Sequence, residues 1–435
     1  MRPRWFGCVA WLTVALSGCG SLPSRHSSSP GNVVRIAGTK GHWQILLNGR
    51  PFELQGVGAA YARGSDGADY LAMARAMGAN TVRTWGTRQG TREFLDQAHR
   101  YGLYVDAGIW LNPVYEDGTC SYITDTAYQR QVRDETIQYV TAYKNHPAIL
   151  FWNIGNETIH FTRKEEERVA FSRFLEALVQ EVHAIDPHHP VIHTSAFTSA
   201  VDYVKRYAPS VDIFGLNVYG GLEDAHREVI DKLSIPYVVT EFGPIGPWDR
   251  PRDIHGKAIE LTDVERSEFY EQQAAFIQRH RGYALGGFPF ALGEANQVSL
   301  IWWNLNYQRY KRFAFLKLQA LYTKQPMGNR PPAVRALEFS KQQALRPGEP
   351  FEIRVDYWEP EGEAVEFRYF ASTSEETPTL EEFQNREIPL KVDGRGPVVK
   401  AEAPRQEGIY RIYVVAVDPH DLAGTLSGTI SVTAP

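Results

Sequence analysis

Ile149-Leu-Phe-Trp-Asn-Ile-Gly-Asn-Glu157 is an apolar run that breaks, without a turn, into an amide and then a carboxylate. Tyr237-Val-Val-Thr-Glu241-Phe-Gly-Pro244 is another apolar run that leads straight into a carboxylate. Short runs this rich in β-branched and aromatic side chains read as strands buried on both faces, which is the pattern of a parallel sheet.

Working outward, similar runs occupy 54–57, 81–84, 104–109, 149–154, 191–193, 213–216, 237–240 and 286–290. Helical patterns lie between them, at 68–77, 91–101, 127–144, 164–185, 200–207, 223–233 and 262–281. Helix-ending signals introduce several strands, as in Met77-Gly78, Tyr101-Gly102, His146-Pro147 and Ile235-Pro236. Alternating βα units predict an α/β fold with a parallel sheet, and eight strands is the number that closes a (β/α)₈ TIM barrel. Ahead of it, Gln44-Ile-Leu-Leu-Asn-Gly-Arg-Pro-Phe52 reads as a hairpin turned at Asn48-Gly49 and suited to closing the bottom of the barrel. Past Pro331-Pro332 helical periodicity stops. Alternating runs such as Phe351-Glu-Ile-Arg-Val-Asp-Tyr357 and Tyr410-Arg-Ile-Tyr-Val-Val415 predict a small all-β sandwich domain of Ig/FnIII-like type. The barrel with its hairpin is therefore expected over 33–330 and the sandwich over 331–435.

A barrel places function at the C-terminal ends of its strands. Glu157 would end the fourth strand and Glu241 the seventh, on facing walls of one mouth. Two converging carboxylates are what glycosidic cleavage needs. Set about 5–5.5 Å apart they serve a retaining double displacement, and about 6.5–9.5 Å apart an inverting one. Two like charges so close push one carboxyl toward the protonated form, which separates an acid from a nucleophile.

These residues resemble the clan A glycoside hydrolases. There the acid/base follows an asparagine on the fourth strand and the nucleophile ends the seventh. The resemblance implies Glu157 as acid/base, Glu241 as nucleophile and Asn156 as a donor to the sugar 2-hydroxyl. Asn80-Thr-Val-Arg83 looks like the second-strand arginine of the family 2 catalytic domain, and Asn217-Val-Tyr219 like the tyrosine that bonds the nucleophile. The likeness extends over roughly 42–435, toward bacterial family 2-like barrels that carry a C-terminal β-module, and includes Glu241-Phe-Gly-Pro244, 256–262 and Gly408-Ile-Tyr-Arg-Ile-Tyr413. One departure stands out. Such proteins carry a tryptophan at the end of the eighth strand, where Phe288-Pro-Phe-Ala-Leu292 offers a leucine, leaving Trp302 or Trp303 to supply the sugar-stacking floor.

A single glutamate after a strand is ordinarily a loop charge; two, in this order and each after an apolar strand, are not. Arg83 and Tyr219 have bland alternatives as a rim salt bridge and a core tyrosine. Among the tryptophans, Trp110 and Trp302 are the expected sugar contacts, with Trp85, Trp248 and Trp303 equally well read as core. His188-His189 lies in a Pro-bracketed turn and is expected to be exposed, with no carboxylate at ligand spacing. The run 163–168 reads as a solvated helix start, and 244–265 as a segment that shapes the pocket.

The amino-terminal end has the order of a signal peptide. Two arginines precede an apolar stretch from Phe6 to Leu16 that is too short to span a bilayer, and it ends in Leu16-Ser-Gly-Cys19. That tetrapeptide resembles a bacterial lipobox, with 1–18 removed, Cys19 lipidated and 19–32 a flexible tether. An exported protein held in the bacterial cell envelope, on the outer membrane or the periplasmic face, is the expectation. Of three cysteines only Cys120 then remains in the fold, as an inert thiol, which excludes a disulfide framework and a cysteine metal site. A net charge of −5 without a basic block speaks against nucleic-acid binding, whereas 10 tryptophans suit a protein that stacks sugar rings.

The expected activity is retaining hydrolysis of a β-linked oligo- or polysaccharide, with no cofactor and no metal. Transglycosylation through the same glycosyl-enzyme and a non-catalytic glycan-binding lipoprotein are the alternatives.

Overall fold

A computed structural model describes residues 31–115, 120–196, 198–293, 295, 298–373 and 386–433. The expected signal segment, Cys19 and the tether as far as Pro30 lie outside the described residues.

The barrel strands are Gly56–Gly58, Thr81–Arg83, Tyr104–Ile109, Ile149–Asn156, Val191–Ala196, Ile213–Tyr219, Tyr237–Gly243 and Ala284–Pro289, parallel and in chain order around the sheet. The first and eighth meet at one bridge, where Leu292 N–H donates to the Gly58 carbonyl at 2.8 Å beside the pair Ala59 and Leu292. The seven expected helices form with ends shifted by a few residues at most. Their starts follow local chemistry: Asp69, Thr91 and Asp125 each cap a helix by accepting from a first-turn N–H, and Thr262 with Glu265 forms a capping box. Phe313–Thr323 is a further helix that packs against Tyr70–Met77 and Asp263–Arg279 and completes the outer ring. It has no polar stripe over Phe313-Ala-Phe-Leu-Lys-Leu318, so periodicity did not announce it.

The hairpin forms over Gln44–Leu47 and Arg50–Phe52, with φ of 51° at Asn48 and 78° at Gly49, the two positive values of a type I′ turn. Val34–Ala37 adds a third strand. Val34 and Ile45 join Leu150, Ile192, Val238 and Phe288 of the barrel interior in one apolar cluster, so this small sheet plugs the N-terminal end.

The C-terminal strands make a sandwich. Ala333–Phe339, Pro350–Trp358 and Val398–Glu402 form one sheet among the described residues; Ile388–Pro389, Glu366–Thr373, Gly408–Val417 and Ala423–Val432 form the other. The second sheet is buried on both faces. Its outer face carries Phe370, Tyr413, Val415 and Val417 onto Leu300, Ile301, Tyr307 and Tyr310 of the barrel. Phe370 lies stacked between Tyr307 and Tyr413, at centroid distances of 5.5 and 5.0 Å.

Buried charge reinforces the seam. Asp263 accepts from Arg266 Nη1 at 2.9 Å, from both ends of the Arg312 guanidinium, and from the Thr425 N–H of the sandwich at 2.8 Å. Arg411 of the sandwich donates to the Ala258 carbonyl at 2.9 Å, near Glu260. From Gly31 onward the chain is one compact unit, so the sandwich is part of the barrel's packing.

Two readings of surface segments are corrected. His189 is buried, because its Nδ1 pairs with Asp186 at 2.7 Å and Asp186 also accepts from the Trp152 indole. Glu167, within the run read as solvated, is buried because it accepts from Ser121 Oγ and the Tyr122 N–H. Cys120 is buried, as an inert thiol would be.

Candidate active site

Glu157 and Glu241 converge at the mouth on a shared set of side chains. Glu241 is 5% exposed and receives three donors. Arg83 Nη1 and the Trp85 indole N–H each reach Oε1 at 2.6 Å, and Tyr219 Oη reaches Oε2 at 2.6 Å. An ionised carboxylate is acceptor-only, and these three contacts use it as one. Burial raises the Tyr219 hydroxyl well above the ordinary tyrosine range, and the Glu241 charge raises it further. It therefore stays a donor at any working pH.

Glu157 sits directly after its strand in a left-handed conformation, φ 55° and ψ 18°, just beyond Gly155 at φ 77°. A left-handed non-glycine residue costs about 1–2 kcal/mol. The conformation is held by the Glu157 N–H on the Thr194 carbonyl at 2.9 Å and by Thr158 Oγ1 on the Leu111 carbonyl at 2.9 Å. Its carboxyl accepts from Asn217 Nδ2 at 2.7 Å. Burial, and then the Glu241 charge, push this carboxyl up to about 8, against the pull of Asn217 and Arg83. Both effects favour the protonated form of Glu157.

Arg83, only 1% exposed, ties the carboxylates together. Its Nη2 donates to Asn156 Oδ1 at 2.7 Å, Nη1 also meets the Thr240 carbonyl at 3.1 Å, and Nε stands 3.7 Å from Asp106. Asp106 accepts from Asn153 Nδ2 at 2.9 Å, and Asn153 from Thr194 at 2.9 Å. Asn156 is held by its oxygen, through Arg83 and through Asn217 at 3.2 Å, which leaves its amide nitrogen for a ligand. Asn217 is oriented in turn by Thr240 Oγ1 at 2.8 Å.

Glu157, Glu241, Arg83, Asn156 and Tyr219 are thus gathered as expected. Trp110 is half-buried beside the aromatic cluster at the mouth, its indole N–H on Asn112 at 2.8 Å. Trp302 does not fit its expectation. It is 2% exposed inside that cluster, with its N–H on the Ile245 carbonyl at 3.2 Å, so it supports the wall instead of offering a face. Leu292 is corrected as well: it is spent on the barrel seam, and the strand-end aromatic is Phe290. That ring packs edge-on against Trp85, Tyr219 and Trp303 at 5.3, 5.9 and 5.9 Å. The eighth-strand leucine therefore does not empty the floor of the site.

Three participants escaped sequence reading. Asn217 lies inside the quoted Asn217-Val-Tyr219, Trp85 follows Arg83 by two residues, and Asp106 is buried mid-strand. The first two were within reach, since both follow apolar strand residues at the mouth; nothing local marked Asp106.

Residues 40–246, a stretch that includes both glutamates, match the family model "Glycosyl hydrolases family 2, TIM barrel domain". This part of the barrel is similar to glycosyl hydrolase family 2 domains. The pig β-glucuronidase is 28% identical to this chain over 246 residues, covering 53% of this chain and 34% of its own length. The β-glucuronidase of Chlorocebus aethiops is 29% identical over 270 residues, covering 56% and 38%. The chain spans about a third of the length of such curated relatives. Among solved structures, Bacteroides uniformis β-glucuronidase 2, bound covalently to cyclophellitol-6-carboxylate aziridine, aligns with a TM-score of 0.54 at 15% identity, over 93% of this chain and 48% of its own. A Faecalibacterium prausnitzii β-glucuronidase aligns at 0.50 and 22% identity, over 68% and 52%. These likenesses establish the fold that frames the carboxylates described above.

Proposed function

We propose that this protein is a retaining glycoside hydrolase acting on β-linked O-glycosidic bonds. The observation that carries the reading is the opposed state of two neighbouring carboxyls: Glu241 fully used as an acceptor, Glu157 raised to about 8. Glu241 attacks the anomeric carbon while the bond to the leaving oxygen breaks and Glu157 gives that oxygen its proton. Glu157, now a carboxylate, takes a proton from water, whose oxygen displaces Glu241 from the anomeric carbon. Arg83 and Tyr219 hold the nucleophile in line, and the Asn156 amide nitrogen is offered to the 2-hydroxyl.

A panel of aryl β-glycosides, including the β-glucuronide that the relatives' names suggest, tests this with NMR detection of the first product. The β-anomer forming first supports the reading. The α-anomer forming first contradicts it.

Separately, the tetrapeptide Leu16-Ser-Gly-Cys19 supports a lipid anchor at Cys19 that holds the protein in the cell envelope. No helix among the described residues is long and apolar enough to cross a membrane. Cys19→Ser should abolish incorporation of labelled palmitate and release the protein from the membrane fraction; an unchanged fraction would refute the anchor.

A further inference from the structure

Trp248 is the exception among the aromatic residues at the seventh and eighth strand ends. It is 56% exposed, whereas Trp302 and Trp303 are 2% and 4% exposed. Its placement is nonetheless tightly defined. It lies on the 3₁₀ turn Pro247–Asp249, and its ring covers Gly246 so closely that a Cβ there would fall 2.2 Å from Cζ2. Only glycine admits that contact. The indole meets Tyr219 edge-on at 6.4 Å and Trp303 at 6.3 Å, and Tyr219 is the residue whose hydroxyl donates to Glu241. A broad apolar face is thus held open one side chain away from the nucleophile.

The loop that carries it is pinned on both sides. Trp302 donates to the Ile245 carbonyl, Arg250 Nε to the Ile259 carbonyl at 2.9 Å, Thr429 of the sandwich to Asp253 at 2.6 Å, and Arg411 to the Ala258 carbonyl. A platform fixed in advance loses little freedom when a ligand stacks on it. An indole also matches the apolar C–H face of a pyranose while the hydroxyls stay at the rim in water.

We propose that Trp248 is the stacking platform for a second sugar, adjacent to the one attacked by Glu241, and that the substrate is a β-linked oligo- or polysaccharide and not a glycoside of a small aglycone. This rests on the glycosidase reading and specifies its substrate class. The C-terminal sandwich then serves catalysis indirectly, by holding the loop that presents the platform.

The test compares the full-length protein with Trp248→Ala and Trp248→Phe on β-linked gluco-, manno-, galacto- and xylo-oligosaccharides of increasing length, with aryl β-monoglycosides in parallel. The parent should gain kcat/KM with length. Trp248→Ala should erase that gain through KM, by about 10-fold, the equivalent of about 1.4 kcal/mol for one lost aromatic stack, and Trp248→Phe should restore most of it. A length profile unchanged in Trp248→Ala overturns the platform while leaving the glycosidase intact. So does an equal loss on every substrate, monoglycosides included, because that is the signature of a prop for Tyr219. A parent that cleaves nothing at all overturns the glycosidase reading, and the platform with it.

Discussion

Arg83 Nη1 donates to Glu241 Oε1 at 2.6 Å while Nη2 of the same guanidinium donates to Asn156 Oδ1 at 2.7 Å. One rigid fork thereby fixes both the nucleophile and the amide that precedes the acid. A lysine offers one nitrogen with rotatable donors in place of the planar fork, and so does not hold the two acceptors in this fixed geometry. Arg83→Lys should lower kcat/KM by about 100-fold, the scale set by a small misplacement of reacting groups. Arg83→Ala should in addition destabilise the fold by about 3–5 kcal/mol, because it strands Asp106 and Glu241 as buried unpaired charges. Denaturant unfolding and steady-state kinetics check the two effects separately; a Lys variant with parental kcat/KM would remove the fork from the account.

The Glu157 proton sets a pH dependence. With its carboxyl raised to about 8, kcat/KM should fall along an alkaline limb near pH 8 as the acid is lost. In Glu157→Gln that limb should vanish, turnover of substrates with poor leaving groups should fall by about 100-fold or more, and aryl glycosides with activated leaving groups should be cleaved at the first step with little loss. The sign for stability follows from the same shift. A carboxyl raised in the folded state contributes stability at low pH that is lost as pH rises toward about 8. The Tm of Glu157→Gln relative to the parent should therefore climb between pH 5 and 9; a constant difference would show that the fold does not raise Glu157.

Tyr219→Phe removes one of three donors to Glu241 and leaves the ring packing against Phe290 and Trp303 in place. A loss of about 10–100-fold in kcat with an unchanged Tm is expected, consistent with one charge-assisted hydrogen bond of about 1.5–3 kcal/mol. A Tm drop without a kinetic effect would make the residue a structural one.

The seam between barrel and sandwich makes its own prediction. Asp263 is buried among Arg266, Arg312 and Thr425, so Asp263→Ala should cost about 3–5 kcal/mol by taking from Arg312 its carboxylate and leaving Arg266 with Glu260 at 3.4 Å. Ending the chain near residue 330 should expose Leu300, Ile301, Tyr307 and Tyr310 and give insoluble protein. A soluble, active truncation would show that the two parts are independent.

Much of this is legible in the sequence because parallel strands are buried on both faces and announce themselves as apolar runs. The barrel order, the hairpin turn at Asn48-Gly49 and the pairing of Glu157 with Glu241 follow from that pattern. What stayed hidden depends on distant neighbours. His189 and Glu167 are buried by Asp186 and by Ser121 and Tyr122, partners that sequence spacing does not advertise. Trp302 and Trp248 look alike in sequence, and only packing decides that the first is enclosed and the second open. Leu292 reads in sequence as the end of the eighth strand, but that strand stops at Pro289, three residues before the bridge of Leu292 to Ala59 that closes the barrel.

The central claim is that Glu241 becomes covalently bonded to the sugar. Trapping the enzyme with a cyclophellitol-type aziridine or a 2-deoxy-2-fluoro glycoside of the preferred sugar, followed by peptide mass spectrometry, reads this directly. The account predicts one modified peptide, with the label on Glu241 and none after Glu241→Gln. A label on Glu157, or steady turnover with no trapped enzyme and inverted product, would contradict it.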